Sequence, residues 1–131
     1  MAFDRLDYIY MPSRDVAADL AWFRDVLGAR VVFAIVAMGT KVAMLELTAG
    51  PPRLLLADHV EGDVPILVYR VGSLNDTVAE LETRGWTRGT TLEIPQGPVS
   101  SFRGPGGQRI AVYELTRPSV EATFEGRRDF G

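Results

Sequence analysis

Residues 7–31 read DYIYMPSRDVAADLAWFRDVLGARV, and this stretch predicts a strand, a helix and the beginning of a second strand. Residues 7–11 form a short aromatic and branched run that ends at Pro12, which is typical of a strand followed by a turn. Residues 15–27 predict a helix, with Asp15 able to cap its start and Gly28 able to end it. Its apolar side chains recur at helical spacing: Val16, Leu20, Phe23 and Leu27.

The rest of the chain repeats this order of elements. Strands are predicted at 30–37, 42–47 and 53–57. The second half predicts a strand at 66–71, a helix at 74–84, and strands at 86–94 (with a kink at Gly89), 99–103 and 109–114. The halves align at an offset of about 57 residues, which places Gly28 over Gly85. Such a duplication predicts two similar modules.

These elements predict an α+β fold in which two tandem βαβββ modules form one curved mixed sheet around a cup, with helices on the outer face. We expect residues 1–131 to form a single domain. The first module spans 4–58, a linker 59–65 and the second module 66–116. The remaining segment, 117–131, is polar, so we expect a frayed or weakly docked tail, with a dimer arm as the alternative.

Composition narrows the classes of function. The chain has 131 residues, 47% hydrophobic, and a formal net charge of −3 with no basic run, which disfavours nucleic acid as a partner. It has no cysteine, so neither a disulfide nor a thiolate metal site can form. No signal-peptide pattern and no apolar run of about 20 residues occurs, so we expect a cytoplasmic protein without a membrane partner.

Three phrases carry a resemblance to a known family. They are DYIYMPSRDVAADLAWFRDVLGARV, VYRVGSLNDTVAELETRGW at 68–86, and FRGPGGQRIAVYEL at 102–115. In this order they resemble the vicinal oxygen chelate superfamily, which includes glyoxalases, bleomycin-resistance proteins and extradiol dioxygenases. The resemblance covers residues 4 to about 116. It implies the cup-shaped fold just described and a homodimer.

The resemblance also implies where a metal would be held. The metalloenzymes of this superfamily place ligands on strands that line the cup, and the matching positions here are Tyr8, Leu55, Ile66 and Ala111. A transition metal needs three or four N, O or S ligands, which these residue types do not supply. We therefore predict neither a metal nor another cofactor. His59 is the only histidine, and its place in the linker predicts a solvated side chain.

Alternation along the strands predicts which side chains face the cup. Those facing it are Tyr8, Tyr10, Leu55, Ala57, Ile66, Val68, Arg70, Ala111 and Tyr113. Those facing the helices are Ile9, Met11, Leu54, Leu56, Leu67, Tyr69, Ile110 and Val112. Arg70 has two interpretations, a clamp for a ligand anion or carbonyl and an internal ion pair with Glu46 or another carboxylate, and the ion pair is favoured.

This apolar and aromatic cup predicts a site for a small, partly aromatic or hydrophobic molecule. The predicted ligand-binding residues are Tyr8, Tyr10, Leu55, Ile66, Val68, Arg70, Ser101, Ala111 and Tyr113. The leading hypothesis is a metal-free binding protein, for sequestration or resistance, with no catalytic residue. The first alternative is an enzyme of lyase, isomerase or dioxygenase type that uses an unrecognised metal site or Tyr and carboxylate acid–base chemistry. The second is an accessory domain without a ligand.

Overall fold

The computed structural model describes residues 3–86 and 91–131. Its eight strands are β1 (Arg5–Pro12), β2 (Arg30–Ala37), β3 (Thr40–Glu46), β4 (Arg53–Ala57), β5 (Ile66–Val71), β6 (Thr91–Ile94), β7 (Gly97–Arg103) and β8 (Arg109–Glu114). Its helices are α1 (Val16–Asp25), α2 (Leu74–Thr83) and α3 (Val120–Phe124). None of the helices described is long and apolar enough to span a membrane.

All eight strands join one curved mixed sheet in the order β2-β3-β4-β1-β5-β8-β7-β6. Each module contains one parallel pair, β1 with β4 and β5 with β8. The modules meet where β1 pairs antiparallel with β5. The predicted fold class, a curved mixed sheet built from two βαβββ units, is therefore confirmed.

The predicted element boundaries agree best where the apolar pattern is strongest. The strands predicted at 30–37, 53–57, 66–71 and 109–114 are found with those bounds. The strand predicted at 86–94 is described only as β6, and its predicted kink at Gly89 lies outside the described residues. Leu27 lies beyond the end of α1 and is 46% exposed, so the apolar face of this helix is shorter than predicted.

The two faces of the sheet bury separate clusters. The concave cluster contains Tyr8, Leu55, Val68, Ala111 and Tyr113, with Tyr10 and Ile66 packed against it. On the convex face, α1 packs with Leu54 and Leu56, and α2 lies in a cluster with Tyr69 and Val112. The predicted alternation is confirmed for these residues.

The C-terminal segment is docked along the sheet. Gly126 N donates to Val32 O at 2.8 Å, Ala34 N donates to Arg127 O at 2.9 Å, and Asp129 N donates to Ala34 O at 2.7 Å. These bonds cover the outer edge of β2, which would otherwise present unpaired backbone groups. The segment is therefore held by backbone pairing, in contrast to the frayed or weakly docked tail expected from its polar composition.

Helix α3 precedes this edge segment and covers the concave face of the first module. Phe124 packs on Phe33 with ring centroids 5.7 Å apart, and it adds to the concave cluster. A partly buried aromatic pair of this kind stabilises both through burial and through ring–ring contact.

We predict that Phe124→Ala lowers the free energy of unfolding by about 2 kcal/mol, roughly half the cost of emptying a fully buried phenylalanine site. Urea denaturation followed by circular dichroism measures the change. Thr123→Ala, an exposed neighbour on the same helix, is the control, with an expected change within about 0.5 kcal/mol. An equal free energy of unfolding in the two variants would show that the packing of α3 on the concave face does not stabilise the fold.

Candidate functional site

A β-bulge in β1 sets the geometry of the concave face. The pairing of β1 with β5 shifts between Leu6 and Tyr8, so Asp7 is an extra residue in this register. A bulge re-aims a side chain that strict alternation would send to the opposite face. Here Asp7 and Tyr8 both line the same cavity on the concave side.

The Asp7 carboxylate is only 5% exposed and lies among three donor groups. Its Oδ1 accepts from Arg5 Nε at 2.5 Å, and its Oδ2 lies 3.3 Å from Arg70 Nε. The same Oδ2 accepts a hydrogen bond from the Tyr113 hydroxyl. A buried carboxylate requires such partners, because desolvation without them is costly.

A second network joins α3 to the sheet through Glu121. Its Oε1 accepts from the Tyr8 hydroxyl, and its Oε2 accepts from Arg53 Nη1 at 3.0 Å. Arg53 Nη2 also lies 2.9 Å from Glu46 Oε1, which accepts from Arg30 Nη2 at 2.5 Å. The Tyr8 hydroxyl is therefore paired with a carboxylate of the same chain, that of Glu121 on α3.

A polar cavity of about 260 Å³ lies at the end of the cup where β1 begins. Charged and polar side chains dominate its lining: Arg5, Asp7, Tyr8, Arg53, Arg70, Gln96, Tyr113, Arg117 and Glu121. The loop at 49–51 and residues around α3 complete it. We call this space the polar cavity.

A larger space of about 400 Å³ lies over the second module, at the end of the cup where β5 begins. Its lining is mainly apolar: Tyr10, Ile66, Val68, Leu92, Ile94, Val99 and Ala111, with Ser101, Arg109 and residues 59–61 at other points. We call this space the apolar cavity. None of its lining residues is shared with the polar cavity.

The tyrosine hydroxyls on the concave face are held in the neutral form. Burial, followed by the hydrogen bond to Glu121, raises the pKa of Tyr8 far above its ordinary value of about 10. Burial also raises the pKa of Tyr113, which donates to Asp7, and raises the pKa of Tyr10 to about 12. These groups are hydrogen-bond donors at neutral pH, so none is poised to act as a general base.

The structure distributes the predicted binding residues among three places. Five line the apolar cavity: Tyr10, Ile66, Val68, Ser101 and Ala111. Three line the polar cavity: Tyr8, Arg70 and Tyr113. Leu55 lines neither cavity and is 2% exposed within the concave cluster. Arg70 forms an internal ion pair, as favoured from the sequence, with Asp7 rather than Glu46. A binding role for each of these residues stays a prediction.

Several residues of the polar cavity were not predicted from the sequence. Asp7 reaches it through a bulge that the residue pattern does not reveal. Glu121 reaches it because the C-terminal segment docks. Gln96 follows β6, and its backbone oxygen accepts from Thr116 N and Arg117 N, both at 3.0 Å. The one available signal was the presence of charged residues, Asp7 and Arg70, within segments predicted to be strands.

The family model described as Glyoxalase/Bleomycin resistance protein/Dioxygenase superfamily matches residues 5–112. The match spans both modules and most of the chain. This chain belongs to that superfamily. The resemblance noted in the sequence is thereby confirmed.

Solved structures with the superfamily fold are similar over most of their length. The Mycobacterium tuberculosis methylmalonyl-CoA epimerase has a TM-score of 0.72 and 18% identity, covering 89% of this chain and 91% of its own. A variant of the Streptomyces coelicolor methylmalonyl-CoA epimerase, in complex with 2-nitronate-propionyl-CoA, has a TM-score of 0.70 and 17% identity, covering 88% and 96%. A hypothetical protein from Bacillus halodurans C-125 has a TM-score of 0.71 and 16% identity, covering 84% and 93%. No curated protein matches the sequence. At these identities the structural similarity establishes the fold.

The superfamily's metal-ligand positions do not fit a metal here. Leu55, Ile66 and Ala111 offer only carbon, and the Tyr8 hydroxyl donates to Glu121. Among residues 3–86 and 91–131, no three or more His, Cys, Asp or Glu side chains are grouped so that they could hold a metal ion. A divalent transition metal requires several converging donors, which this set does not provide.

The tyrosine pKa directions predict loss of stability at alkaline pH. Because folding raises these pKa values, the unfolded chain releases the protons first as the pH passes about 10. The contribution of these tyrosines to the free energy of unfolding is therefore fully present below a pH of about 10. Above that pH it falls by about 1.4 kcal/mol per pH unit for each affected tyrosine.

Urea denaturation between neutral and alkaline pH tests this dependence, with ultraviolet absorbance reporting tyrosine ionisation. Tyr8→Phe removes one affected hydroxyl, so its slope above a pH of about 10 is expected to be shallower by about that amount. An identical slope in Tyr8→Phe and the natural chain would contradict the assignment.

The lack of converging metal-ligand atoms also predicts that the protein does not bind transition metals. We expect the protein purified without a tag to carry no stoichiometric metal, by inductively coupled plasma mass spectrometry. We expect Zn²⁺, Ni²⁺ or Mn²⁺ to leave its thermal unfolding unchanged after dialysis against EDTA. A specifically bound metal at about a hundredfold its Kd would add about 2.7 kcal/mol of stability. Retention of close to one equivalent would overturn this prediction.

Proposed function

We propose that this protein binds a small, partly aromatic or hydrophobic molecule in the apolar cavity without using a metal. The observation that carries the proposal is that the two modules cover their concave faces unequally. Helix α3 packs on the first module through Phe124 and Phe33. No described residue from α3 or the tail lines the apolar cavity over the second module.

The size and chemistry of the apolar cavity support a small-molecule ligand. Its volume of about 400 Å³ lies within the usual range of about 300–1,000 Å³ for ligand pockets. The small side chains of Ala111 and Val68 line this cavity and are buried. Leu92 also lines it and is 57% exposed. Apolar surface left in water at this scale is stabilised when a ligand covers it, by about 25 cal/mol per Å².

A few polar groups could orient such a ligand. Tyr10 and Ser101 bring hydroxyl groups to the lining, and the Tyr10 hydroxyl stays protonated because its pKa is raised to about 12. Arg109 Nη1 donates to Glu61 O at 2.5 Å and to Val64 O at 3.0 Å. These bonds fix the guanidinium against the linker at the rim. The pattern of an apolar wall with few polar groups is typical of binding pockets.

An enzyme of the same superfamily is the second candidate. It is supported by the structural neighbours that are methylmalonyl-CoA epimerases and by carboxylates close to the tyrosines in the polar cavity. Those carboxylates, Asp7 and Glu121, already accept hydrogen bonds from arginine and tyrosine donors, so a substrate would have to displace these internal partners. Epimerisation of methylmalonyl-CoA by the EDTA-treated protein would favour the enzyme.

A cavity-filling variant tests the binding proposal. N-phenyl-1-naphthylamine, a neutral aromatic fluorophore, is the probe, and its fluorescence titration gives the affinity. We expect Ser101→Trp to weaken binding at least about tenfold, equivalent to about 1.4 kcal/mol, because the indole occupies the cavity. Asn75→Trp adds the same ring on the exposed face of α2 and is the control, with affinity expected within about twofold.

Two results would contradict the proposal. The first is a flat titration of the natural chain with this probe and with a panel of planar aromatic compounds. The second is equal affinity in Ser101→Trp and Asn75→Trp, which would assign the fluorescence to another apolar surface. Circular dichroism of both variants confirms that each is folded before the comparison is made.

A further inference from the structure

We propose that the polar cavity is a second, separate site, which binds a small organic anion through a carboxylate or phosphate group held by Arg5 and Arg70. This inference goes beyond the proposed function, because it concerns a different cavity and the opposite ligand chemistry. It rests on the pairing of the two arginines, on their unused donors, and on a buried amide in the lining of the same cavity.

The first observation is that two arginines face each other across the seam between the modules. Arg5 on β1 pairs in register with Arg70 on β5. Like charges directly opposite on neighbouring strands destabilise a sheet unless an anion lies between them. Asp7 supplies one carboxylate to both guanidinium groups. The pair therefore retains one positive charge in excess.

Other charged groups of the cavity do not remove this excess. Glu46 and Glu121 pair with Arg53, and Glu46 also pairs with Arg30, so these two carboxylates are balanced by two arginines. Arg117 is paired with Glu93 at 2.6 Å and donates to Pro95 O at 2.7 Å. The local charge is positive although the chain as a whole has a formal net charge of −3.

The second observation concerns the unused donors. Arg5 and Arg70 both direct Nε toward Asp7. Among the residues that the structure describes, the terminal nitrogens of these two side chains make no hydrogen bond. A guanidinium presents its N–H groups as a planar fork that matches a carboxylate or phosphate with two parallel bonds. Arg70 is also positioned for such binding, since its side chain is only 25% exposed.

The third observation is the Gln96 side chain, which lines the same cavity. Gln96 is 4% exposed, and its Oε1 is buried without a hydrogen-bond partner among the described residues. Burial of an amide without a partner is unfavourable, so an unpaired one indicates that a ligand or water completes it. The Oε1 atom accepts from a water or from a protonated ligand group, and the NH₂ group of the same amide can donate to an anion.

The backbone around Gln96 is held rigidly, which favours a preformed site. A side chain cannot be added at Gly97, because its Cβ would lie 1.9 Å from Glu114 O. The amides of Thr116 and Arg117 both donate to Gln96 O. The backbone of Gln96 is therefore fixed relative to β8, and little ordering is needed when an anion enters.

The test uses inorganic phosphate and benzoate as separate probes of the full chain. Binding is measured by isothermal titration calorimetry in chloride buffers of matched ionic strength, because screening alone weakens surface attraction. We expect at least one probe to bind with a Kd of about 10 mM or tighter. Phosphate binding without benzoate binding assigns the site to phosphate compounds, and the reverse assigns it to carboxylates.

Two charge variants locate the binding. We expect Arg5→Gln to weaken probe affinity about tenfold or more, as loss of a charge-assisted hydrogen bond predicts. Arg5 is half exposed, so this variant is expected to fold. Arg103→Gln removes the same charge from an exposed end of β7 outside the cavity and is the control, with affinity expected within about twofold. Arg70→Gln repeats the test from β5.

Asp7→Asn provides a change in the opposite direction. Removing the internal carboxylate frees both arginines, so we expect anion affinity to rise severalfold if the variant is folded by circular dichroism. Failure of both probes to bind the natural chain would overturn the inference, as would an equal loss in Arg5→Gln and Arg103→Gln. Binding of N-phenyl-1-naphthylamine is expected to be unchanged in Arg5→Gln, so failure here is distinguishable from failure of the proposed function.

Discussion

The antiparallel pairing of β1 with β5 is the contact on which the rest of this structure depends. It is the only strand pairing between the two modules in the described sheet, and the cup exists because the modules meet there. The bulge places Asp7 at this seam, where its carboxylate contacts Arg70 on β5 and Tyr113 on β8. A buried charge of one module is thus neutralised by the other. Without the second module Asp7 would lose Arg70 and Tyr113 and keep only Arg5, which is a reason for the modules to fold as one unit.

A sequence duplication has produced two halves that are no longer equivalent. Glu121 and Phe124 come from outside the repeat, and both contact the first module. The tail then continues along β2 and covers the sheet edge that β2 would expose. The second module has no such segment among the described residues. The asymmetry leaves apolar surface available over the second module, whereas α3 covers it over the first.

Much of the fold follows from local pattern, whereas the site depends on contacts between distant residues. The alternation of Ile66, Val68 and Arg70 is a property of one strand, so their shared face could be read directly from the sequence. The bulge at Asp7 could not, because a one-residue shift depends on the register of the partner strand. Docking of α3 was also beyond local pattern, since its polar helix is stabilised by Arg53 and Tyr8, which lie 68 and 113 residues away from Glu121 in sequence. The residue pattern therefore predicted a single cup, whereas the structure has two separate cavities on the concave face.

The residues at the positions that the resemblance assigns to metal ligands lie on both sides of this division. Tyr8 offers a neutral hydroxyl at one of these positions, and that hydroxyl donates to Glu121 from α3. Ile66 and Ala111 offer apolar groups at two others, and both line the apolar cavity. A metal at this point would need ligands from both sides of the seam to converge. Without that requirement, one side could be closed by a carboxylate from the tail and the other left as an apolar pocket. The hydroxyls of Tyr8 and Tyr113 and the carboxylates of Asp7 and Glu121 are thus satisfied by the chain itself, without a metal between them.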